Sequence, residues 1–310
     1  MSDSVVFLRS MQYFGDQLAA YPLLYQLKQC RPDHKIRVVA HDPVQAYYAD
    51  LPWVDEFIQA DRFIDKYRAI TKKTNLVMAL HHSSEKYGAL ALLRWPALRL
   101  GFKNQRVTDF VWNHSWPKDM DEYIGLANLN LLRRTYDFAP EVAARGCMAA
   151  IAAGAQASTS TADVVMMPGG GAGQFKRWGV RNYVALADQL KTVLGQDASF
   201  CFILGPAEVE ETAYLQSLAR PDFQLLISQP IADIAYVALH SRLIVANDCG
   251  PSHLAQNTCR PYVGLFNEPN LEWFWSRDNS ASVTPTNGTT DIQSISIAQV
   301  FSACQKVLAV

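Results

Sequence analysis

The chain has 310 residues, of which 49% are hydrophobic and 18% are charged, as is typical of a water-soluble globular protein. Its formal net charge of −1 argues against general nucleic-acid binding. No apolar run is long enough to cross a bilayer, and the N-terminus lacks the pattern of a signal peptide. The six cysteines are scattered without a C-x-x-C pair, so we expect reduced thiols and a cytoplasmic protein.

Strand-like and helix-like segments alternate through the first half of the chain. The hydrophobic pattern predicts strands at residues 5–8, 36–40 and 76–80, and helices at 17–28, 86–94 and 122–133. Repeated alternation of this kind indicates a parallel sheet with helices on its faces.

A segment rich in Ala, Ser, Thr and Gly, residues 149–162, predicts a linker. After it the pattern predicts strands at 164–167, 200–204, 243–246 and 262–266, and helices at 182–193, 209–218, 231–240 and 297–308. Ser296 and Gln299 form a capping box at the start of the last helix. We therefore expect two α/β domains. If they face each other, they form a cleft suited to two substrates.

The most informative segment runs from Asn247 to Ala255, with the sequence NDCGPSHLA. An apolar strand leads into it, Gly250 permits a sharp turn, and Pro251 suits the first position of a helix. A helix that begins after a strand and a tight turn presents free N–H groups and a positive dipole end, which favour phosphate. Asp248 and His253 flank this end, so the segment predicts a site for a phosphorylated ligand.

A second candidate is the glycine-rich loop from Met167 to Trp178. It is not a Walker A loop, because Gln174 follows Gly173 where that motif requires lysine. Lys176 and Arg177 could neutralise a diphosphate leaving group, where negative charge grows as the phosphate departs. The alternative is a flexible loop with two solvated cations.

Two acidic residues each allow a structural and a functional interpretation. Asp16 follows the first strand, and we favour a helix N-cap over a general base, although one residue could serve as both. Glu208 could bind ribose hydroxyls, but a favourable acidic residue in the first turn of a helix is the simpler interpretation. No sequence pattern typical of a structural metal site occurs.

A basic cluster lies in the first half of the chain, at Arg94, Arg99, Lys103 and Arg106. The simpler interpretation is a solvated face. The alternative is a landing area for an anionic acceptor or a membrane surface.

These motifs occur together in the order found in a known family, and the chain resembles glycosyltransferase family 9, the ADP-heptose:lipopolysaccharide heptosyltransferases. The matching segments, in chain order, are Gly15-Asp16, Leu80-His-His-Ser-Ser84, Arg99-Leu-Gly-Phe102, Pro168-Gly169, Lys176-Arg177-Trp178, Gly205 with Glu208, and Asn247–Ala255. The last of these is the most specific.

The resemblance implies a GT-B fold, that is, an α/β architecture of two Rossmann-like domains that face each other across a cleft. It implies an N-terminal acceptor-binding domain at residues 1–155 and a C-terminal nucleotide-sugar-binding domain at 156–310. It also allows the last helix to pack back on the N-terminal domain.

The resemblance further implies roles for individual residues. Asp16 matches the catalytic base and Lys176 the cation that meets the donor phosphates. The implied donor-binding residues are Gly169, Gly170, Gly171, Lys176, Glu208, Asp248, Cys249, Gly250 and His253. The implied acceptor-binding residues are Gly15, His82 and Arg99. The chain departs from the family at Cys249, where threonine is usual, and at Gly170 and Gly171, where a hydroxyl residue is usual.

The expected reaction is an inverting, metal-independent transfer of heptose from ADP-heptose to a sugar hydroxyl of the lipopolysaccharide core, with no cofactor. The expected partners are the nucleotide sugar and an acceptor at the inner membrane surface, so the protein would be cytoplasmic and peripheral to that membrane. The alternatives are a GT-B transferase that uses another nucleotide sugar for capsule or O-antigen glycan, and a non-catalytic nucleotide-sugar-binding relative.

Overall fold

A computed structural model describes residues 2–81, 85–171, 173–286 and 288–310. The chain divides into two compact units, Met1–Cys147 and Met148–Val310. The division falls inside a helix, upstream of the predicted domain boundary after residue 155. No helix in these described ranges is long and apolar enough to cross a membrane.

The first unit is a parallel sheet with helices. Its strands are β1 (Asp3–Phe7), β2 (Lys35–Ala40), β3 (Glu56–Gln59), β4 (Thr74–Ala79), β5 (Leu98–Lys103) and β6 (His114–Pro117). Its helices are α1 (Phe14–Leu18), α2 (Tyr21–Cys30), α3 (Phe63–Ala69), α4 (Glu85–Arg94) and α5 (Ile124–Arg133), with α6 (Pro140–Ala152) spanning the division.

The second unit repeats this plan. Its strands are β7 (Val164–Met167), β8 (Phe200–Leu204), β9 (Phe223–Ile227), β10 (Leu243–Asn247), β11 (Tyr262–Leu265) and β12 (Ser280–Val283). Its helices are α7 (Val180–Leu194), α8 (Val209–Ser217), α9 (Ile231–His240), α10 (Gly250–Asn257) and α11 (Ile297–Leu308).

Both sheets have the same strand order. The first sheet runs β3-β2-β1-β4-β5-β6 and the second β9-β8-β7-β10-β11-β12, and the paired strands are parallel. The order reverses between β1 and β4 in the first sheet and between β7 and β10 in the second. In doubly wound sheets, ligands bind beyond the carboxyl ends of the strands at such a reversal, so the fold marks one candidate site in each unit.

The core of the second unit lies between its sheet and helices α7 and α11. Phe200 and Phe202 on the sheet, Leu186 on α7 and Val300 on α11 are fully buried in one apolar cluster. The predicted capping box holds the start of α11, since the Ser296 hydroxyl accepts a bond from the Gln299 N–H and the Gln299 side chain accepts one from the Ser296 N–H. Helix α11 packs on α7, β11 and β12, all in its own unit.

Two predicted elements differ from the structure. The predicted helix at 17–28 is two helices, because Pro22 has no N–H to donate to Leu18 and instead occupies the first turn of α2. The predicted linker at 149–162 begins as the last turn of α6, since the alanines that suggested a linker also have the highest helix propensity.

Candidate functional site

The reversal point of the second sheet brings together loops that are far apart in sequence. Gly169, Gly170 and Gly171 follow β7, Asp248 follows β10, and Glu208 follows β8, the other neighbour of β7. Strands β7 and β10, on either side of the reversal point, are fully buried and apolar up to their ends, so polar residues appear only where these two strands end. These residues, which the family resemblance implies to bind the donor, therefore lie together beyond the carboxyl ends of the strands of one sheet.

Asn247, the last residue of β10, links β10 to the glycine loop by hydrogen bonds. Its side chain is fully buried, and its amide nitrogen donates to the carbonyl oxygens of Pro168 and Gly169 at 2.7 and 3.2 Å. The hydroxyl of Tyr183, on α7, donates to its amide oxygen at 2.9 Å. No role of its own follows for Asn247 from the sequence. In the structure, this buried amide with three partners sets the position of the glycine loop against β10.

Lys176 and Asp248 form an ion pair across the two loops. The ammonium nitrogen lies 2.5 Å from the Asp248 Oδ2 atom, and the Asp248 side chain is only 9% exposed. Lysine carries three N–H donors, so the ammonium can keep this contact and still donate to phosphate oxygens. Lys176 and Asp248, which the family resemblance implies to bind the donor, therefore contact each other in the second unit.

Arg177 forms a separate buried network with two carboxylates. Its guanidinium lies 2.9 Å from Glu208 Oε1 and 2.7 Å from Glu211 Oε1, and all three side chains are about one tenth exposed. The other Glu208 oxygen accepts the Gly205 N–H at 2.8 Å. Arg177 therefore orients Glu208, whereas the sequence suggested a second cation for the leaving group. The position of Glu211 one turn after Glu208 was the available signal for this network.

The glycine loop approaches this network too closely for side chains. A Cβ atom on Gly169 would lie 3.0 Å from the Glu208 carboxyl group, and one on Gly170 would lie 2.8 Å from the Gly173 carbonyl oxygen. Among the described residues, a Cβ atom on Gly171 would meet only the Gly250 nitrogen, at 3.9 Å. The loop is thus packed on one side and faces the first N–H of α10 on the other.

Helix α10 begins at Gly250, so Pro251 is its second residue and not the first as predicted, and Cys249 is its N-cap residue. The Cys249 side chain makes no capping hydrogen bond, and burial raises its pKa to about 12. The thiol is therefore neutral near pH 7. Pro251 has no N–H and the Ser252 N–H donates to the Cys249 carbonyl oxygen at 3.1 Å, so this end of the helix offers a ligand the Gly250 N–H. That group and the helix dipole favour an anion.

His253 lies one turn into α10 and is almost fully buried. Its ring packs edge-on against Trp273, with the ring centroids 5.0 Å apart. Burial lowers its pKa to about 4, although Asp248 opposes that shift. The imidazole is therefore neutral near pH 7, and it can donate a hydrogen bond from one nitrogen and accept one at the other.

In the first unit, Asp16 lies near the reversal point of the first sheet. Tyr13 is the N-cap residue of α1, so the N-cap interpretation of Asp16 is wrong, and Asp16 is instead the third residue of the helix. It lines a small cavity of about 20 Å³ with Leu8 and Leu80, which directly follow β1 and β4. Gly15 is buried beside it.

Arg99 and His82 are the two remaining residues that the resemblance implies to bind the acceptor. The Arg99 guanidinium donates to the carbonyl oxygens of Val111 and Pro96 at 2.8 and 2.7 Å, and it stacks on Trp95. These contacts give Arg99 a structural role, since they join β5 to the segment before it at Pro96 and to the segment after it at Val111. His82 lies outside the described residues.

The described part of the chain contains no group of three or more His, Cys, Asp or Glu side chains placed to hold a metal ion. The six cysteines are free thiols. The groups gathered at the second reversal point include the Lys176 ammonium, the Asp248 and Glu208 carboxylates, the His253 imidazole and backbone N–H donors, a set that suits an anionic ligand with hydroxyl groups.

The chain also matches a known protein family. The family model of glycosyltransferase family 9 (heptosyltransferase) matches residues 97–283, more than half of the chain. The match includes the glycine loop, Glu208 and the whole of α10. No curated protein sequence matches the chain significantly.

Solved structures share the fold at low identity. Escherichia coli heptosyltransferase WaaC with ADP is 14% identical, with a TM-score of 0.69 over 98% of this chain and 99% of that one. E. coli ADP-heptose lps heptosyltransferase II is 17% identical, with a TM-score of 0.63 over 100% and 99%. UDP-GlcNAc 2-epimerase from Methanocaldococcus jannaschii is 12% identical, with a TM-score of 0.57 over 99% and 93%. Because enzymes with different reactions share this GT-B fold of two Rossmann-like domains, the fold alone does not fix the chemistry.

Proposed function

This chain belongs to glycosyltransferase family 9, and we propose that it transfers heptose from ADP-heptose to a sugar hydroxyl of a lipopolysaccharide-core acceptor. The observation that carries the proposal is the set of donor-type groups at the second reversal point, where Lys176, Asp248, the glycine loop and the start of α10 come together. The similar E. coli heptosyltransferase WaaC was solved with ADP, which supports an adenine nucleotide as part of the donor.

In the proposed donor complex, the diphosphate lies between the glycine loop and the start of α10. The space beside Gly171 is open toward the Gly250 nitrogen, so backbone N–H groups can take the part that side-chain hydroxyls play in other members of the family. Lys176 neutralises the negative charge that grows on the diphosphate as the glycosidic bond breaks. Asp248 and neutral His253 hold sugar hydroxyls, and Glu208 accepts from the ribose.

The proposed reaction is a single displacement that inverts the anomeric centre. Asp16 takes the proton from the acceptor hydroxyl, the oxygen attacks the anomeric carbon, and the diphosphate leaves with the electron pair of the broken bond. Lys176 and the helix dipole supply the positive charge that the leaving group needs, so we propose that no metal ion or other cofactor takes part. The nucleotide sugar is a substrate.

Two sequence features favour a second candidate, a transferase of the same fold with another nucleotide sugar, for example in capsule or O-antigen assembly. Cys249 and the Gly170-Gly171 pair remove hydroxyl groups that the family usually presents to the donor. A panel of nucleotide sugars, tested with the purified protein for turnover, separates the two. Turnover of ADP-heptose above the other donors supports the first proposal, and a preference for another donor supports the second.

The role of Asp16 is tested with Asp16→Asn, which keeps the size of the side chain and removes the base. Because a positioned general base contributes roughly 10²- to 10⁴-fold, we expect kcat to fall by about that factor while the dissociation constant of the donor stays unchanged. Asp121→Asn, which alters an exposed acidic residue of the same unit, is the control. Near-normal turnover by Asp16→Asn would exclude the role. Donor binding without transfer by the unaltered protein would support a non-catalytic relative.

A further inference from the structure

The first unit exposes a group of large apolar side chains around α4. Val107 is 85% exposed, Phe110 68%, Leu93 61% and Trp95 54%, and Leu92 is also exposed. Isolated exposed apolar residues are ordinary, but a contiguous group marks an interaction surface. We call these five residues the α4 face.

The residues of the α4 face come from two short helices that contact each other and from the position directly after α4. Helix α4 lies against the 3-10 helix Val107–Val111, and a Cβ atom on Gly88 would be only 2.7 Å from the Thr108 Cβ atom. The inner sides of the two helices bury Leu90 and Val111 in the apolar cluster of the first sheet. The exposed side chains of the α4 face therefore do not belong to this apolar core.

Trp95 is held in an unfavourable backbone conformation. Its φ angle is +46°, in the left-handed region, at the position after α4 where glycine is the usual residue. A bulky residue in this region costs free energy, and Trp95 gains little burial in return. Its ring lies 4.1 Å from the Arg99 guanidinium carbon, which supports it from the protein side. Such a strained, exposed aromatic residue points to a binding role.

The surroundings of the α4 face are basic. Residues 85–118 contain six Lys or Arg residues and two Asp or Glu residues. Lys86 and Lys103 are exposed, and the partly exposed Arg106 lies 3.7 Å from Glu85. A second copy of this face would bring like charges together, whereas a negatively charged partner would complement it.

We propose that the α4 face inserts into the headgroup region of a bilayer that carries anionic lipids. An apolar patch with basic residues around it is the pattern of interfacial membrane binding, and tryptophan is enriched at that depth. The inference rests on the proposed function and deepens it, because that function needs the enzyme beside a lipid-linked acceptor.

The test is flotation of the purified full-length protein with vesicles of phosphatidylcholine alone or with added phosphatidylglycerol, without donor or acceptor. We expect binding to the anionic vesicles to exceed binding to the neutral ones. Leu93→Ser and Phe110→Ser should each weaken it about tenfold, because a buried Leu or Phe side chain contributes on that scale. Lys103→Gln should weaken it about fivefold. Val142→Ser, at an equally exposed site on α6, is the matched control and should change nothing.

Trp95→Gly separates a binding role from a structural one. Glycine relieves the backbone strain, so the melting temperature should stay the same or rise while vesicle binding falls about tenfold. A lower melting temperature with unchanged binding would make Trp95 structural and overturn its part in the proposal. Equal binding by Leu93→Ser, Phe110→Ser and Val142→Ser would overturn the whole proposal, as would a dimer in light scattering that Leu93→Ser dissociates.

Failure of this inference is distinguishable from failure of the proposed function. Vesicle flotation contains no nucleotide sugar, and donor turnover is measured with a water-soluble acceptor in the absence of lipid. A protein that turns over the donor but does not float retains the proposed function and loses the membrane surface.

Discussion

At the scale of single residues, the candidate donor site depends on groups that burial keeps in one protonation state. The Cys249 thiol and the His253 imidazole are both neutral near pH 7, because burial raises the pKa of the thiol to about 12 and lowers that of the imidazole to about 4. Their neutrality leaves Lys176 and Asp248 as the ion pair of the candidate donor site. His253 also makes the stability of the second unit depend on pH.

We predict that this unit loses stability as the pH falls from about 6.5 to 4. In that interval the unfolded chain protonates His253 and the folded chain does not, so the unfolded state binds more protons and the free energy of unfolding rises with pH. The lowered pKa corresponds to about 3 kcal/mol at most.

The measurement is urea unfolding at several pH values for the unaltered protein and for His253→Gln. The stability of the unaltered protein relative to the variant should decrease steadily toward pH 4. His240→Gln, which removes an exposed histidine of α9, controls for the loss of a histidine elsewhere in the unit. A constant difference between the protein and His253→Gln would show that this histidine is not buried as a neutral group.

Residue types and spacing allowed part of the candidate site to be predicted. Asp248, Gly250 and His253 follow one another along the chain, so a strand, a turn and a helix were enough to place them near the start of α10. The spacing of Glu208 and Glu211 indicated that the two carboxylates share a face, but not that Arg177 is their partner, because only the order of β7 and β8 brings the glycine loop to the start of α8. Removal of one partner from such a buried ion pair leaves an uncompensated charge, so this network is structural support for Glu208.

At the scale of elements, the glycine loop has two sides with different tolerances. We predict that Gly170→Ala lowers the free energy of unfolding by about 1–3 kcal/mol, since its Cβ atom would press on the Gly173 carbonyl oxygen. Gly171→Ala should leave stability within about 0.5 kcal/mol, because in the described part of the chain its Cβ atom would meet only the Gly250 nitrogen. The added methyl group would still occupy the space proposed for the diphosphate, and should weaken donor binding about tenfold.

Urea unfolding and calorimetric titration with ADP measure the two effects separately, and Gly170→Ala and Gly171→Ala serve as controls for each other. Unchanged ADP affinity in Gly171→Ala would place the diphosphate elsewhere. A loss of stability in Gly171→Ala as large as that in Gly170→Ala would mean that the loop is packed on both sides.

Most interior strands were predictable because they are continuous apolar runs, whereas the edge strands and the interior strand β5, with the sequence LRLGFK, were not. Strands β7 and β8 have the predicted bounds, and both are fully buried. Strands β3 and β12 at the sheet edges are only partly buried, and their sequences EFIQ and SASV lack an apolar run. Their positions follow from pairing with a neighbouring strand, which a local pattern does not contain.

At the scale of the whole molecule, each unit has its own sheet and apolar cluster, and the donor-type residues all belong to the second unit. The segment that enters this unit is anchored within it, because Asp233 on α9 accepts hydrogen bonds from the Gln156 N–H and the Thr159 hydroxyl. The second unit therefore contains the contacts that hold its own core and the residues that are proposed to bind the nucleotide.

We predict that a fragment of residues 148–310 unfolds cooperatively and binds ADP without catalysing transfer, because Asp16 lies in the other unit. ADP at one hundred times its dissociation constant should stabilise the fragment by about 2.7 kcal/mol. Calorimetry with and without ADP measures this shift, and Lys176→Gln in the same fragment should reduce it. A folded fragment that ADP does not stabilise would show that the first unit contributes to donor binding, and a fragment that does not fold would contradict the independence of the two cores.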